Sequence, residues 1–223
     1  ITRGTTYNRT AFIGKTGATD DASIGGNTFS MDVDFVNSGS GYLMMGNGTF
    51  DTYSANVSLT NTGTRHLYFA RNGLGHMVTG NLTVNNSATG TNNYVLIADQ
   101  AGSDLTVNGN TTINNAGTAT GNTVYVGNNG DITFNGTVDF NNIGTGNGSE
   151  IYVNLTANSN VVFNQNITLS STNGDGIRFG QNGGTSTLST GRTITINGGG
   201  FTVGELRFRN FIQMGATPQA LTL

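Results

Sequence analysis

The chain has 223 residues and a formal net charge of −3, with 35% hydrophobic and only 9% charged residues. Its 9 Lys and Arg are too few and too scattered to neutralise a phosphate backbone, and with no cysteine it forms neither disulfides nor thiolate metal sites. No run of about 18 apolar residues is present to span a bilayer, and a single Pro with low net charge argues against disorder.

Taken from the N-terminus, the apolar residues fall into short triplets in which two apolar side chains flank one outward residue. Ala11-Phe12-Ile13 is the first, and it reads as an early member of the family that later includes Leu43-Met44-Met45. Residues 14–30 fit less well and read as a loop or a lengthened strand. Val33-Asp34-Phe35 then opens a regular alternation with Leu43-Met44-Met45, Val57-Ser58-Leu59, Leu67-Tyr68-Phe69, Leu82-Thr83-Val84 and Val95-Leu96-Ile97. From there a third family is visible. The order becomes Leu105-Thr106-Val107, Thr111-Thr112-Ile113, Val124-Tyr125-Val126, Ile132-Thr133-Phe134, Val138-Asp139-Phe140, Ile151-Tyr152-Val153, Val161-Val162-Phe163 and Ile167-Thr168-Leu169. It continues as Ile177-Arg178-Phe179, a weaker Leu188-Ser189-Thr190, Ile194-Thr195-Ile196 and Leu206-Arg207-Phe208. The apolar run Phe211 to Met214 reads as the beginning of another coil.

Within the first family, successive members lie 24, 25, 29, 27, 29 and 27 residues apart. Alternation at period two marks strands that bury one face. A sandwich would also give many short strands, but not three families recurring in step. The pattern predicts an all-β chain: a parallel β-helix of three strands per coil, period about 27 residues, right-handed by the general crossover preference. It predicts one segment over 1–223 of about seven to eight coils, and the uncharged finish predicts continuation into further coils or end-to-end stacking. Each coil needs few core residues, because neighbouring coils supply the rest. Seven Phe (35, 69, 134, 140, 163, 179 and 208) take inward positions. Asn37, Asn61, Asn86, Asn115 and Asn142, followed by Ser171 and Gly198, form a column two residues beyond the first-family triplets. Stacked amides there would satisfy turn backbone.

At this point the repeat texture resembles bacterial surface β-helix proteins: autotransporter-like passengers, filamentous-haemagglutinin-type adhesins, and long Gly/Asn/Thr-rich surface proteins of Bacteroidota-like bacteria. The resemblance covers roughly residues 10 to 215 and involves no signature motif. It implies a secreted or cell-surface location and a role in adhesion, surface coating or fibre formation.

Candidate chemistry lies on outward columns. On the first family the column Asp34, Ser58, Thr83, Thr112, Asp139, Thr168 and Thr195 permits an ice-binding reading, which the two Asp residues weaken. Asp32 and Asp34, two apart on a strand and so about 6.6 Å apart, are within the range of a glycosidase carboxylate pair. No Lys, Arg or aromatic cluster adjoins them. His66 and His76 lack ligand-like spacing and read as surface residues. Gly174-Asp175-Gly176 occurs once, without the array that calcium-binding solenoids use.

The second family is different. Its outward residues include Phe12, Met44, Tyr68, Leu96, Tyr125, Tyr152, Arg178 and Arg207, and the column two residues earlier holds Tyr42, His66 and Tyr94. Five of the seven Tyr thus share one face. Ladder stacking and a contact surface both explain such a stripe. The interaction face read from it is Tyr42, Met44, Tyr68, Tyr94, Leu96, Tyr125, Tyr152, Arg178 and Arg207. The functional expectation is a non-enzymatic extracellular structural or adhesive segment, with a carbohydrate-active enzyme or glycan-binding module as the alternative. The expected partners are further copies or repeats of the same chain, or surface glycans. Nucleic acid, membrane insertion and cofactors are not expected.

Overall fold

A computed structural model describes residues 2–201, 204–215 and 221–222. Among these the chain is all β, arranged as three stacked parallel sheets. The first sheet has nine strands: Ala11–Lys15, Val33–Asn37, Val57–Asn61, Leu82–Asn86, Thr111–Asn115, Val138–Asn142, Ile167–Ser171, Ile194–Phe201 and Leu221–Thr222. The second has eight: Asp21–Ala22, Leu43–Met44, Leu67–Phe69, Tyr94–Ile97, Thr123–Val126, Glu150–Val153, Gly176–Phe179 and Glu205–Phe208. The third has nine: Thr6–Tyr7, Thr28–Phe29, Thr52–Tyr53, His76–Val78, Asp104–Val107, Asp131–Phe134, Asn160–Phe163, Thr185–Leu188 and Phe211–Gln213. Consecutive strands along the chain visit the three sheets in turn, which is the β-solenoid of three strands per coil.

The inward triplet positions make the core. Phe35, Phe69, Phe134, Phe140, Phe163 and Phe179 are buried, and Phe208 is partly buried against them. Aromatic rings stack from coil to coil inside the third sheet: Tyr7 on Phe29 at 4.6 Å, Phe29 on Tyr53 at 5.0 Å and Phe134 on Phe163 at 5.5 Å. Outward on that sheet runs a column of Thr6, Thr28, Thr52, Met77, Thr106, Thr133, Val162, Thr187 and Ile212, fuller in Thr than the first-sheet column.

Each corner has its own device. Between first and second sheets the Asn column is buried, and its amides link coils. Asn86 Nδ2 donates to Asn115 Oδ1 at 3.2 Å and Asn115 Nδ2 to Asn142 Oδ1 at 3.0 Å. The same Nδ2 groups donate to turn carbonyls such as Asn122 O and Glu150 O. Lys15 takes the place of an Asn at the start of the column, paired in register with Asn37, and its ammonium donates to Gly17 O at 2.5 Å. Between second and third sheets, a left-handed residue one or two positions after the strand turns the chain: Gly46, Ala70, Ala98, Gly127, Asn154, Gly180 and Asn210, all with φ between 47° and 68°. Between third and first sheets, Asp32, Asn56, Asn81 and Asn110 each accept a backbone N–H from the coil above.

Five details differ from the sequence reading. Ala11-Phe12-Ile13 pairs with Val33-Asp34-Phe35 and so lies on the first sheet, not the second. Residues 14–30 are not a loop: they hold the Asp21–Ala22 and Thr28–Phe29 strands of a short first coil of 22 residues, Ile13 to Phe35. The weak third-family triplet is slipped by two, since Leu188 pairs with Phe163 and the inward positions are Ser186 and Leu188. The Phe211–Gln213 strand completes the third sheet rather than opening a coil. In the Asn column, the residue opposite Ser171 is Phe201 rather than Gly198, because the register shifts after Leu169.

Candidate interaction face

The second sheet carries the face that the Tyr pattern singled out. Because successive side chains alternate, two outward columns result. The central column is Ala22, Met44, Tyr68, Leu96, Tyr125, Tyr152, Arg178 and Arg207. The shoulder column is Tyr42, His66, Tyr94, Thr123, Glu150, Gly176 and Glu205. Leu67, Phe69, Val124, Val126, Ile151 and Val153 beneath it are all buried, which fixes the outward direction of the Tyr residues. Those Tyr are half-buried rather than open, because each leans on its neighbours.

The rings form a continuous ladder. His66 stacks on Tyr94 at 4.5 Å and Tyr125 on Tyr152 at 5.5 Å, while Tyr42–Tyr68 and Tyr94–Tyr125 meet edge to face. Guanidinium groups cover further faces: Arg65 on Tyr42, Arg71 on Tyr68 at 4.7 Å and Arg178 on Tyr152. Stacking along the solenoid axis therefore occupies the ring faces and leaves ring edges and phenol oxygens outermost. The hydroxyls of Tyr42 and Tyr152 accept from Arg65 and Arg178. A sugar ring that stacks on Tyr needs an open face, and this geometry offers few.

Charge is concentrated at the C-terminal end of the stripe. Arg178 Nη1 lies 2.6 Å from Glu150 Oε1, and Arg207 makes a bidentate contact with Glu205 through Nε and Nη2. Burial pushes the Glu150 carboxyl up despite the stabilising bonds from Tyr152 and Arg178. Burial likewise raises Tyr68 and Tyr152 to about 12, with Asp99 adding to it at Tyr68 and Glu150 at Tyr152, so both phenols stay neutral. His66 is lowered to about 4, first by desolvation and then by the Arg65 charge. It is a neutral imidazole whose Nδ1 accepts the Tyr94 N–H at 3.2 Å.

Several expected placements need correction. Phe12, assigned to this stripe, is on the first sheet and 71% exposed, its ring lying over Gly14. Leu96 keeps its outward register but is only 6% exposed, flanked in register by Tyr68 and Tyr125. It is a spacer beneath the rings rather than a contact residue. His76 is not on the surface: at 1% exposure it sits inside the solenoid, its Nδ1 accepting the Asp51 N–H at 3.0 Å and its Nε2 bonded to Asn72 O. Asp51 in turn accepts from Asn27 Nδ2 at 2.8 Å and from the buried Tyr53 hydroxyl at 3.2 Å. Burial raises Asp51 and Tyr53 and lowers His76. This buried polar string went unread because His in a strand pattern looks outward; the alternation His76-Met77-Val78 was the available signal.

Of the other candidates, Asp32 is engaged in the corner, accepting the Asn56 N–H at 3.0 Å, while Asp34 is exposed two residues on. Asp175 accepts the Gly148 N–H at 3.0 Å. No group of three His, Asp or Glu side chains fit to hold a metal occurs among the described residues. A second exposed apolar set, Ile24, Phe50 and Leu74, occupies the turns between second and third sheets in the first coils. No known protein family matches the chain. Comparison with curated proteins found no match, and comparison with solved structures found none either.

Proposed function

We propose that the chain is a non-enzymatic extracellular structural or adhesive β-helix segment whose second-sheet face makes its contacts. One observation carries this reading: the Tyr42–Tyr152 ladder concentrates five of seven Tyr on one sheet, while the outward columns of the other two sheets are mainly Thr, Asn and Ser. A contiguous aromatic stripe beside sheet faces that are mainly hydroxyl and amide supports a contact role. Tyr supplies large contact area at low conformational-entropy cost, and its hydroxyl tolerates solvent when no partner is bound. The glycan-binding alternative draws less support, because neighbouring rings and Arg groups cover the Tyr faces. The enzyme alternative rests on Asp32 and Asp34, and Asp32 is already engaged in the corner.

The test displays the chain on beads or cells and measures retention on surfaces and clustering of the displaying particles. Replacing Tyr68, Tyr125 and Tyr152 together by Ser, with the strand signal in circular dichroism retained, should reduce both to background. Unchanged retention and clustering in that variant would overturn the contact role. A polysaccharide panel assayed for reducing ends and unsaturated products checks the enzyme reading. Turnover that Asp34→Asn abolishes would replace the structural proposal.

A further inference from the structure

We propose that the second-sheet face pairs with the same face of a second copy of this chain, the two solenoid axes running antiparallel. The inference rests on reading that face as a contact surface, and it names the partner. A two-fold axis lying in the face, between the Tyr94–Ile97 and Thr123–Val126 strands, divides the eight strands into four and four. It lays the second strand on the seventh of the other copy, the third on the sixth and the fourth on the fifth.

The face is self-complementary in shape under that operation. In its first half the shoulder column is high, built from the rings of Tyr42, His66 and Tyr94. In its second half the same column is low: Thr123 and Glu150 are buried beneath their neighbours, and Gly176 has no side chain. The two-fold places Tyr42 over Gly176, His66 over Glu150 and Tyr94 over Thr123 of the other copy. In the central column, Tyr68 then meets Tyr152. The ring edges that the ladder leaves outermost are the parts that enter the low half.

Charge agrees with shape. Arg65 is exposed and rests on the Tyr42 ring and hydroxyl, with no carboxylate within ion-pair distance among the described residues. Asp175 accepts only the Gly148 N–H and likewise has no cation in reach there. These two side chains come from opposite halves of the face. The two-fold brings Arg65 of one copy opposite Ser149 of the other, one rung from Asp175, a step of about 4.8 Å that an Arg side chain spans. The pair forms twice, as an isologous contact requires, and the operation closes at two copies.

Eight strands at about 4.8 Å spacing make a face roughly 34 Å long, and two outward columns with their flanks make it roughly 15 Å wide. That buries on the order of 1,000 Å² in total, at the lower end of specific interfaces. A weak dimer results, with a dissociation constant on the order of micromolar or above.

Sedimentation of the 223-residue chain from low micromolar to about millimolar concentration tests this. The expected result is a rise from one chain mass to two and no further. Arg65→Asp and Asp175→Arg should each move the midpoint at least about tenfold higher in concentration, because each places like charges across the contact. An equimolar mixture of the two variants should recover the wild-type midpoint, since opposite charges then face each other in the mixed pair. Circular dichroism checks that both variants fold, Asp175→Arg in particular because it gives up the Gly148 N–H bond. A chain monomeric throughout, growth beyond two, or a mixture no better than its components would overturn the pairing. If the chain stays monomeric yet the Tyr-dependent surface retention holds, the contact reading survives with a different partner, a glycan or another protein. Tyr-independent retention sinks that reading separately.

Discussion

Asn115→Asp is the sharpest probe of the coil-to-coil amide ladder. The substitution keeps the shape and replaces one NH₂ by an oxygen. Asn115 Nδ2 donates at 3.0 Å to Asn122 O, at 3.0 Å to Asn142 Oδ1 and at 3.1 Å to Glu150 O. All three acceptors would then face a carboxylate oxygen with no proton to share, in a site with no solvent exposure. Lost bonds of about 0.5–1.5 kcal/mol each, plus an unpaired buried charge, place the loss at about 3–5 kcal/mol at pH 7. For a chain of this size that lowers Tm by roughly 6–20 °C. Asn114→Asp, one residue earlier on the half-buried outer side, loses a single Nδ2 bond, to Asn85 Oδ1, with solvent beside it and should cost about 0.5–1.5 kcal/mol. The introduced carboxyl at 115 has its folded pKa raised, so the folded state binds its proton more tightly than the unfolded chain. Stability is therefore regained as pH falls through that raised pKa, opposite in sign to ordinary acid denaturation. Thermal and urea unfolding at pH 7 and pH 5, followed by circular dichroism, read both effects. Equal stability of the two variants, or no recovery of the 115 variant relative to wild type on acidification, would refute the ladder as a structural requirement.

Three further outcomes follow from the same architecture. Phe134→Ala removes a fully buried ring stacked on Phe163 and should cost about 3–5 kcal/mol, against a few tenths for the outward Thr133→Ala; similar losses in thermal unfolding would contradict the register. Gly127→Ala combines a left-handed φ of 68° with a Cβ placed 2.7 Å from Val161 Cγ2, so it should lose about 1–2 kcal/mol, whereas Gly102→Ala meets no neighbour within 4 Å and should lose about 1 kcal/mol from backbone strain alone. For pH, His66 at about 4 in the folded chain against 6.5 unfolded takes up its proton only after the unfolded chain has done so. Its contribution is complete above pH 6.5 and is lost as pH falls toward 4, by roughly 1–2 kcal/mol once solvent screening of the half-exposed ring is allowed for. The lowered His76 acts in the same direction, while the raised Asp51 opposes it by favouring its protonated form in the fold. His66→Phe should flatten the slope of Tm against pH between 7 and 4, and an unchanged slope would remove His66 from the account.

Alternation within triplets determines which side chain faces in, because a strand has period two and any other register would put Phe134 or Val124 in water. The recurrence of three triplet families near 27 residues likewise determines a solenoid, since only stacked coils let so few apolar residues complete a core. The Asn column was legible for the same reason: an amide repeated at one corner position can bond its own image in the next coil, as Asn86, Asn115 and Asn142 do. What a triplet does not encode is the sheet it belongs to. Ala11-Phe12-Ile13 looks like a second-sheet strand by its residues, and only the short turns of the first coil place it against Val33-Asp34-Phe35. Contacts between coils were also beyond the linear pattern. Leu96 disappears under the ladder, His76 turns inward to meet Asp51, and the Tyr faces are taken by neighbours about 25 to 29 residues away in sequence. Facing direction is a local property of the pleat; exposure depends on the size of the side chains one coil above and one coil below, and that is decided only when the coils stack.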